Sequence, residues 1–270
     1  MPILPAPPIA VLLSTHFVSD LVLNKYRRLV TELDSSVYDV TLLVNKEESF
    51  SQDGVPQEVK CFYTDSKSLD ALLYHPIAKT LLPGSCHFLL MRFFLDYPTY
   101  QHYWFIEYDV EFTGRWAVLM DDCHRNLADY DFLSCHVERY SRKNHSWPWW
   151  HLDNRLGVPL SDSLKSFNPI CRCSNRALHI LDLYQKAGYS AHEELIMATC
   201  FYTHGMKIGD LGGDGAFVPE GYMNKFYLDA PNEINGGTMR YRPVYSQEEV
   251  QNFCLANTLF HPIKSERDNQ

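Results

Sequence analysis

Short apolar runs alternate with segments of helical periodicity through the first half of the chain, and this alternation constrains the fold more than any other feature. The first run, residues 9–13, is continuously apolar and ends in Ser14 and Thr15, which is typical of a buried parallel strand. Later runs that fit strands cover residues 38–44, 59–63, 103–106 and 131–136. Helices are predicted from about Asp20 and over 86–97. This βαβ order predicts an α/β fold with a mostly parallel sheet between helices.

The second half of the chain is less regular. Residues 141–165 are largely polar and contain two prolines, and two helices are predicted after them, over 174–187 and 191–204. The chain has 270 residues and contains no internal repeat or low-complexity linker. We therefore predict a single domain, 1–270, in which a nucleotide-binding type of sheet, 1–136, is closed over by the half 137–270.

Charge and cysteine content exclude several classes of protein. Lys and Arg number 24 and Asp and Glu 33, which gives a net charge of −9. A chain this acidic does not hold a phosphate backbone by bulk electrostatics, so we expect no nucleic-acid partner. The eight cysteines are scattered through a chain that is long enough to build its own core. This distribution predicts reduced thiols and a cytoplasmic protein.

The N-terminal segment, residues 1–19, carries no charged side chain, which is also a feature of membrane spans. Four prolines, Pro2, Pro5, Pro7 and Pro8, interrupt it. Its apolar run is far shorter than the roughly 20 residues that span a bilayer, and a signal peptide would need a basic start. We expect no transmembrane segment, and peripheral attachment to a membrane that carries a lipid-linked acceptor stays open.

Two carboxylates lie at the end of the strand predicted over 103–106. Glu107 and Asp109 are two positions apart, so on an extended chain they point to the same side, about 6–7 Å from each other. The carboxyl end of a parallel strand is where open α/β sheets bind ligands. Burying both acids without a cation is costly, and Mg²⁺ or Mn²⁺ that bridges to ligand phosphates removes the cost. The alternative is a solvated loop that continues to Glu111.

The run 103–110 resembles the Asp-x-Asp motif of GT-A nucleotide-sugar glycosyltransferases, with Glu in the first acidic position. Later features follow in the same order. His192-Glu193-Glu194-Leu195 is similar to the x-Glu-Asp motif of that family, and Leu259-Phe260-His261-Pro262 to the segment that brings a C-terminal His to the metal. The resemblance covers about residues 9–264. It implies a GT-A-like fold, with a Rossmann-type mostly parallel sheet and a less regular acceptor half.

The resemblance also implies a role for each residue of these motifs. Asp109 would coordinate the Mn²⁺ or Mg²⁺ that bridges the donor diphosphate, and His261 would be the second protein ligand of that ion. Glu107 would contact the donor ribose or a metal-bound water, although its side chain is one methylene longer than the family's Asp. For His261 the alternative is a surface histidine that is fixed before Pro262.

Local sequence separates the two glutamates of the second motif. Ser190-Ala-His-Glu193 fits a capping box, with Ser190 as N-cap and Glu193 reaching back to its amide. Glu194 is then the freer carboxylate, and we predict that it is the base that deprotonates an acceptor hydroxyl in an inverting transfer. The alternative for both residues is a favourable charge at a helix N-terminus.

Three of the five tryptophans, Trp147, Trp149 and Trp150, form a cluster stiffened by a proline. Indole faces suit stacking on the C–H surfaces of sugars, so we place this cluster on the acceptor side; the alternative is a small satellite core. Arg172 precedes the helix predicted from Ser174. It is assigned to the acceptor site as a partner for a phosphate or carboxylate, and the alternative is a surface salt bridge.

The sequence thus predicts a metal-dependent glycosyltransferase that moves a sugar from a nucleotide diphosphate donor to a hydroxyl of a glycan or glycolipid. Residues 1–136 would bind the nucleotide sugar, and 137–270 the acceptor, with a closing tail. Two alternatives remain. One is a metal-dependent nucleotidyltransferase or phosphohydrolase that uses the same carboxylates. The other is a catalytically inactive sugar-binding module.

Overall fold

The computed structural model describes residues 8–46, 55–77, 84–152, 154–230 and 233–264. The strands are β1 (Ile9–Thr15), β2 (Tyr38–Asn45), β3 (Cys61–Thr64), β4 (His102–Glu107), β5 (Glu111–Phe112), β6 (Phe132–Arg139), β7 (Leu164–Ser174), β8 (Ile208–Asp210) and β9 (Leu259–Phe260). The helices are α1 (Asp20–Glu32), α2 (Ser66–Asp70), α3 (His87–Asp96), α4 (Trp116–Asn126), α5 (Asn175–Lys186), α6 (Glu193–Thr203) and α7 (Gln247–Asn252). Three prolines of the N-terminal segment, Pro2, Pro5 and Pro7, lie outside the described residues.

Seven strands form the central sheet, in the order β3-β2-β1-β4-β7-β6-β8. All of its neighbouring pairs are parallel except those of β7, which runs antiparallel to β4 and β6. The prediction of an α/β fold with a mostly parallel, helix-flanked sheet is confirmed, as is the less regular second half. The six strands other than β7 therefore end at the same edge of the sheet.

Helices cover both faces of this sheet because alternate residues of the inner strands are apolar on opposite sides. Ala10 and Leu12 of β1 belong to the core beneath α3, α5 and α6, whereas Val11 and Leu13 belong to the core beneath α1 and α4. The β1 residues of both cores are fully buried. Within the described residues, no helix is both long and apolar enough to cross a bilayer.

Strand β7 was missed by the sequence analysis, since polar residues break its apolar pattern. All of its residues except the last are buried, and its polar side chains form hydrogen bonds with neighbouring segments. The Lys165 ammonium lies 3.1 Å from Glu138 Oε1, and the Asn168 side-chain oxygen accepts from the Ser134 hydroxyl at 2.7 Å. A strand whose polar groups are satisfied by tertiary neighbours carries no periodic signal of its own.

A second, two-stranded sheet brings the C-terminal segment back to the end of β4. It pairs β5 antiparallel with β9. Beside this pair, the amide of Thr113 donates to the carbonyl of Thr258 at 3.0 Å, and the amide of Ile263 donates to the carbonyl of Asp109 at 2.9 Å. Backbone hydrogen bonds thus fix residues 258–263 next to the turn that follows β4.

Candidate active site

The acid pair at the end of β4 meets the histidine of the C-terminal segment. Glu107 is the last residue of β4, and Asp109 lies in the turn between β4 and β5. His261 Nε2 is 3.5 Å from Asp109 Oδ1 and 3.7 Å from Glu107 Oε2. One potential ligand atom from each residue lies within 4.8 Å of the others. The structure therefore brings together the three residues that were predicted for the metal and the donor.

His261 is oriented as a metal ligand would be. Its Nδ1 donates to the carbonyl of Arg240 at 2.8 Å, and this hydrogen bond orients the ring so that Nε2 faces the carboxylates. The ring packs edge-on against Phe167, with centroids 5.2 Å apart. The side chain is buried, so the alternative of a surface histidine is wrong.

Asp109 presents a buried oxygen that lacks a hydrogen-bond partner among the described residues. Burial alone would raise its pKa, but His261 and the positive charges of Lys264 and Lys25 outweigh burial and lower the pKa below its ordinary value. The separation of 3.5 Å from His261 Nε2 is too long for a good hydrogen bond. An ionised oxygen beside the imidazole nitrogen of His261 is an arrangement that a divalent cation completes.

The pKa of Glu107 is shifted in the opposite direction to that of Asp109. Burial, followed by repulsion from Asp109, Glu193 and Glu194, raises the pKa of Glu107 well above its ordinary value. Two carboxylates that share a site without a cation cannot both ionise easily. The alternative of a solvated loop is wrong, because Asp109 is buried and Glu111 forms ion pairs with Lys25 and Arg28.

Two lysines that the sequence analysis did not single out lie close to the acid pair. Lys25 is buried on α1, and its ammonium donates to the carbonyls of Tyr108 and Val110, which flank Asp109. The only sequence signal for this role is a lysine on the apolar face of α1. Lys264 follows the predicted histidine segment, and its charge lowers the pKa of both Glu107 and Asp109.

The N-terminus of α6 differs from the prediction. The helix begins at Glu193, its N-cap is His192, and the imidazole Nδ1 accepts the amide hydrogen of Glu194 at 3.4 Å. The capping box from Ser190 to Glu193 is therefore wrong. Ser190 instead exchanges two backbone hydrogen bonds with Arg155, which hold it in extended conformation outside the helix.

The two glutamates of α6 have different surroundings. Glu193 Oε2 accepts the backbone amide hydrogen of His87, the first residue of α3, at 2.9 Å. Glu194 is buried, and its Oε2 lies 3.9 Å from His192 Nδ1. Burial and then the charge of Glu193 raise the pKa of Glu194 to about 8, against a lowering effect of Lys165. The role of Glu194 as a base stays a prediction.

Two of the three tryptophans that were assigned to the acceptor lie in a satellite core. Trp147 and Trp150 are 4% and 2% exposed and pack edge to face, with centroids 4.8 Å apart. The Trp150 indole donates to the carbonyl of Asn144 at 2.9 Å. Their assignment to sugar stacking is wrong, because both side chains are almost fully buried. Trp149 is half-buried and stacks on His192 at 4.3 Å, with 6° between the planes; its acceptor role stays a prediction.

Arg172 does not belong to the acceptor site, and neither its surface salt bridge nor its ligand role is correct. The residue lies within β7 and is fully buried. Its guanidinium donates to the carbonyls of Cys123, Leu127 and Tyr130 at and beyond the C-terminus of α4. A cation that caps unsatisfied carbonyls at a helix C-terminus is structural.

No protein family matches the chain, and no curated protein does. Among solved structures, glucosyl-3-phosphoglycerate synthase from Mycobacterium tuberculosis is similar at 13% identity, with a TM-score of 0.39, over 64% of this chain and 58% of that one. Mouse xyloside xylosyltransferase 1 is similar at 12% identity, with a TM-score of 0.37, over 78% of this chain and 88% of that one. The 4-diphosphocytidyl-2C-methyl-D-erythritol synthase from Anaerococcus prevotii is similar at 9% identity, with a TM-score of 0.45, over 79% and 92%. The function therefore rests on the geometry of the site.

Proposed function

We propose that the chain is a metal-dependent glycosyltransferase that transfers a sugar from a nucleotide diphosphate donor to a hydroxyl of a glycan or glycolipid. The observation that carries the proposal is the convergence of Glu107, Asp109 and His261 at the carboxyl end of β4, with a buried Asp109 oxygen that has no hydrogen-bond partner in the described part of the chain. Ligands of open α/β sheets bind at this edge. A site of two carboxylates and an imidazole suits a cation that neutralises phosphates.

Asp109 and His261 would hold Mn²⁺ or Mg²⁺, since a carboxylate oxygen and a neutral imidazole nitrogen are both suitable ligands. Glu107, which is longer and partly exposed, would contact the donor ribose or a metal-bound water. When bound, the ion supplies charge stabilisation for the diphosphate that leaves. Lys25 holds the turn that carries Asp109, because its ammonium binds the carbonyls on both sides of that residue.

Lys264 adds a positive charge on the donor side. It lies three residues after His261 and close enough to Glu107 and Asp109 to lower the pKa of both carboxyls. A lysine beside a cation site suits the recognition of phosphate charge. We assign donor binding to 1–136 together with this tail, and acceptor binding to the rest of 137–270, all within one domain.

Glu194 is our candidate for the base of an inverting transfer. Its pKa of about 8 lies near physiological pH, where a carboxylate both ionises in part and takes up a proton readily. Repulsion from Glu194 contributes to the raised pKa of Glu107, so the N-terminus of α6 faces the acid pair. Trp149 stacks on the neighbouring His192 and would line the acceptor side. The acceptor would be reached in the cytoplasm, in solution or at a membrane surface.

Turnover of a panel of UDP- and GDP-sugars, with Mn²⁺ and with a chelator, tests this function. We expect release of the nucleoside diphosphate to require Mn²⁺ and to disappear in Asp109→Asn, which keeps the shape of the side chain. Arg92→Gln, a change in an exposed ion pair on α3, is the matched control and should retain turnover. Release of pyrophosphate from nucleoside triphosphates would instead indicate nucleotidyl transfer. Donor binding without turnover of any donor and acceptor tested would indicate an inactive module.

A further inference from the structure

A second group of potential metal ligands adjoins the first. The thiol of Cys86 and the carboxylates of Glu107 and Glu193 each offer one atom, and these atoms lie within 4.8 Å of one another. Cys86 immediately precedes α3, Glu107 ends β4 and Glu193 begins α6, so three separate elements converge on this point. Neither Cys86 nor Glu193 belongs to the proposed Mn²⁺ site. Glu107 is common to both groups.

An imidazole nitrogen of His87 is directed at the same cluster. His87 is 3% exposed, and its Nδ1 lies 3.8 Å from Glu193 Oε2 without a hydrogen-bond partner among the described residues. On the other side of the ring, Nε2 contacts the side-chain amide of Gln185 at 2.9 Å, and the Gln185 oxygen has no partner within the residues that the structure describes. A half-turn of that amide lets its oxygen accept the Nε2 proton, which places the lone pair of Nδ1 toward Glu193.

The chemistry of this donor set differs from that of the Mn²⁺ site. A thiolate is a soft ligand that selects thiophilic ions, and thiolate, imidazole and carboxylate together are the ligands of Zn²⁺ in proteins. Two carboxylates and a thiol within 4.8 Å of one another repel when ionised, and a dication removes that repulsion. We propose that Cys86, Glu107 and Glu193 form a second cation site, which takes a thiophilic divalent ion such as Zn²⁺ or Cd²⁺.

Sharing of Glu107 couples this site to the neighbouring one. An ion held by Cys86 and Glu193 takes an oxygen of Glu107 and adds positive charge beside Asp109 and His261. It should therefore weaken the binding of Mn²⁺ there, so a thiophilic ion would act as an inhibitor of the proposed transfer. The existence of the thiol site itself does not depend on that activity.

Titration of the full-length chain with Cd²⁺ tests the proposal, because Cd–thiolate bonds absorb in the ultraviolet. We expect a saturable charge-transfer band that is lost in Cys86→Ser and about tenfold or more weaker in affinity in Glu193→Gln. Cys254→Ser and Cys61→Ser are matched controls, since these two cysteines are also accessible to solvent, and they should keep the band. Cd²⁺ should also lower Mn²⁺ affinity in the wild type, by about tenfold or more, but not in Cys86→Ser.

The same experiment separates this proposal from the proposed function. Asp109→Asn should lose Mn²⁺-dependent nucleotide binding and retain the Cd²⁺ band, whereas Cys86→Ser should show the reverse. The proposal is overturned if the wild type shows no band, if the band persists in Cys86→Ser, or if it is lost in Cys254→Ser. An unaltered Mn²⁺ affinity in the Cd²⁺-saturated wild type would overturn the sharing of Glu107.

Discussion

The two acidic pairs of the site differ in spacing and in the element that carries them. Glu107 and Asp109 are two positions apart at the end of a strand, so they point to the same side and meet His261. Glu193 and Glu194 are adjacent at the start of a helix, where neighbouring side chains diverge by roughly 100°. One therefore contacts α3 and the other turns toward its own N-cap. A strand end combines its carboxylates into one site, whereas a helix start separates them into two roles.

In electrostatic terms, however, the two pairs behave alike. Within each pair one pKa is lowered and the other raised, although burial opposes ionisation of all four carboxyls. In each pair the acid with the lowered pKa lies beside a histidine, Asp109 beside His261 and Glu193 beside His87. The partner acids then hold their protons more tightly. Carboxyl pairs with divided pKa values are a device by which sites assign different chemical roles to similar residues.

The largest effect is expected when Asp109 is removed from the pair of acids at the end of β4. Asp109→Ala removes the ionised oxygen that faces His261 and should abolish Mn²⁺-dependent binding of the donor nucleotide and all turnover. Isothermal calorimetry with UDP and GDP, with and without Mn²⁺, measures the loss, and circular dichroism checks the fold. Nucleotide affinity that is unchanged in the presence of Mn²⁺ would show that the pair holds no metal.

The roles of Glu193 and Glu194 at the start of α6 are tested by comparing two matched variants. Glu194→Gln keeps the shape and removes proton affinity, so we expect turnover to fall by roughly 10²–10⁴-fold. The KM for the donor should hardly change, because the proposed role of the side chain is on the acceptor. Glu193→Gln is the control and should retain most of the rate. A slow Glu193→Gln with a normal Glu194→Gln would mean that the two roles are reversed.

Glu194 also makes the stability of the protein depend on pH. Folding raises the pKa of Glu194 from 4.5 to about 8, so between these values the folded state keeps a proton that the unfolded state releases. Stability contributed by this group is therefore lost as pH rises through that window. Glu194→Gln lacks this titratable group. The melting temperature of the variant minus that of the wild type should therefore increase as the pH rises from below 4.5 to above 8. A difference that is constant with pH would contradict the raised pKa.

The smallest effect is expected for the stability of Glu193→Gln. The amide oxygen of Gln can still accept the His87 backbone hydrogen, so only the charge is lost from a 2.9 Å contact. We expect a cost of about 1 kcal/mol in the free energy of unfolding, measured by urea denaturation. A loss several times larger would show that the negative charge of Glu193 holds α3 and α6 together.

Elements that have a local sequence pattern were predicted, whereas elements and residue roles that depend on tertiary contacts were not. Strands β1 and β4 carry unbroken apolar runs and β2 a mostly apolar one, and the acid pair follows directly from its place at the end of β4. Strand β7 escaped because Lys165 and Arg172 are satisfied by partners that are distant in sequence. Lys25 has the same character, since its role depends on a turn 83 residues away.

Two local signals were misleading for a physical reason. Ser190 has the chemistry of an N-cap, but its backbone is paired with Arg155, and the His192 imidazole takes the position instead. The aromatic cluster is an example in which composition does not reveal exposure. Trp147 and Trp150 are buried under their own loop, and only Trp149 keeps an accessible part. Whether a tryptophan faces water or another ring is decided by tertiary packing.

The pairing of β5 with β9 has a consequence for how the protein is made. Synthesis runs from the N-terminus, and every strand of the central sheet precedes Leu211. The contact between Thr113 and Thr258 joins residues that are 145 positions apart. A nascent chain can therefore complete its sheet and its acid pair while the segment with His261 is still being translated. The proposed donor site becomes complete only when that segment leaves the ribosome, so translation itself would delay the onset of the proposed activity.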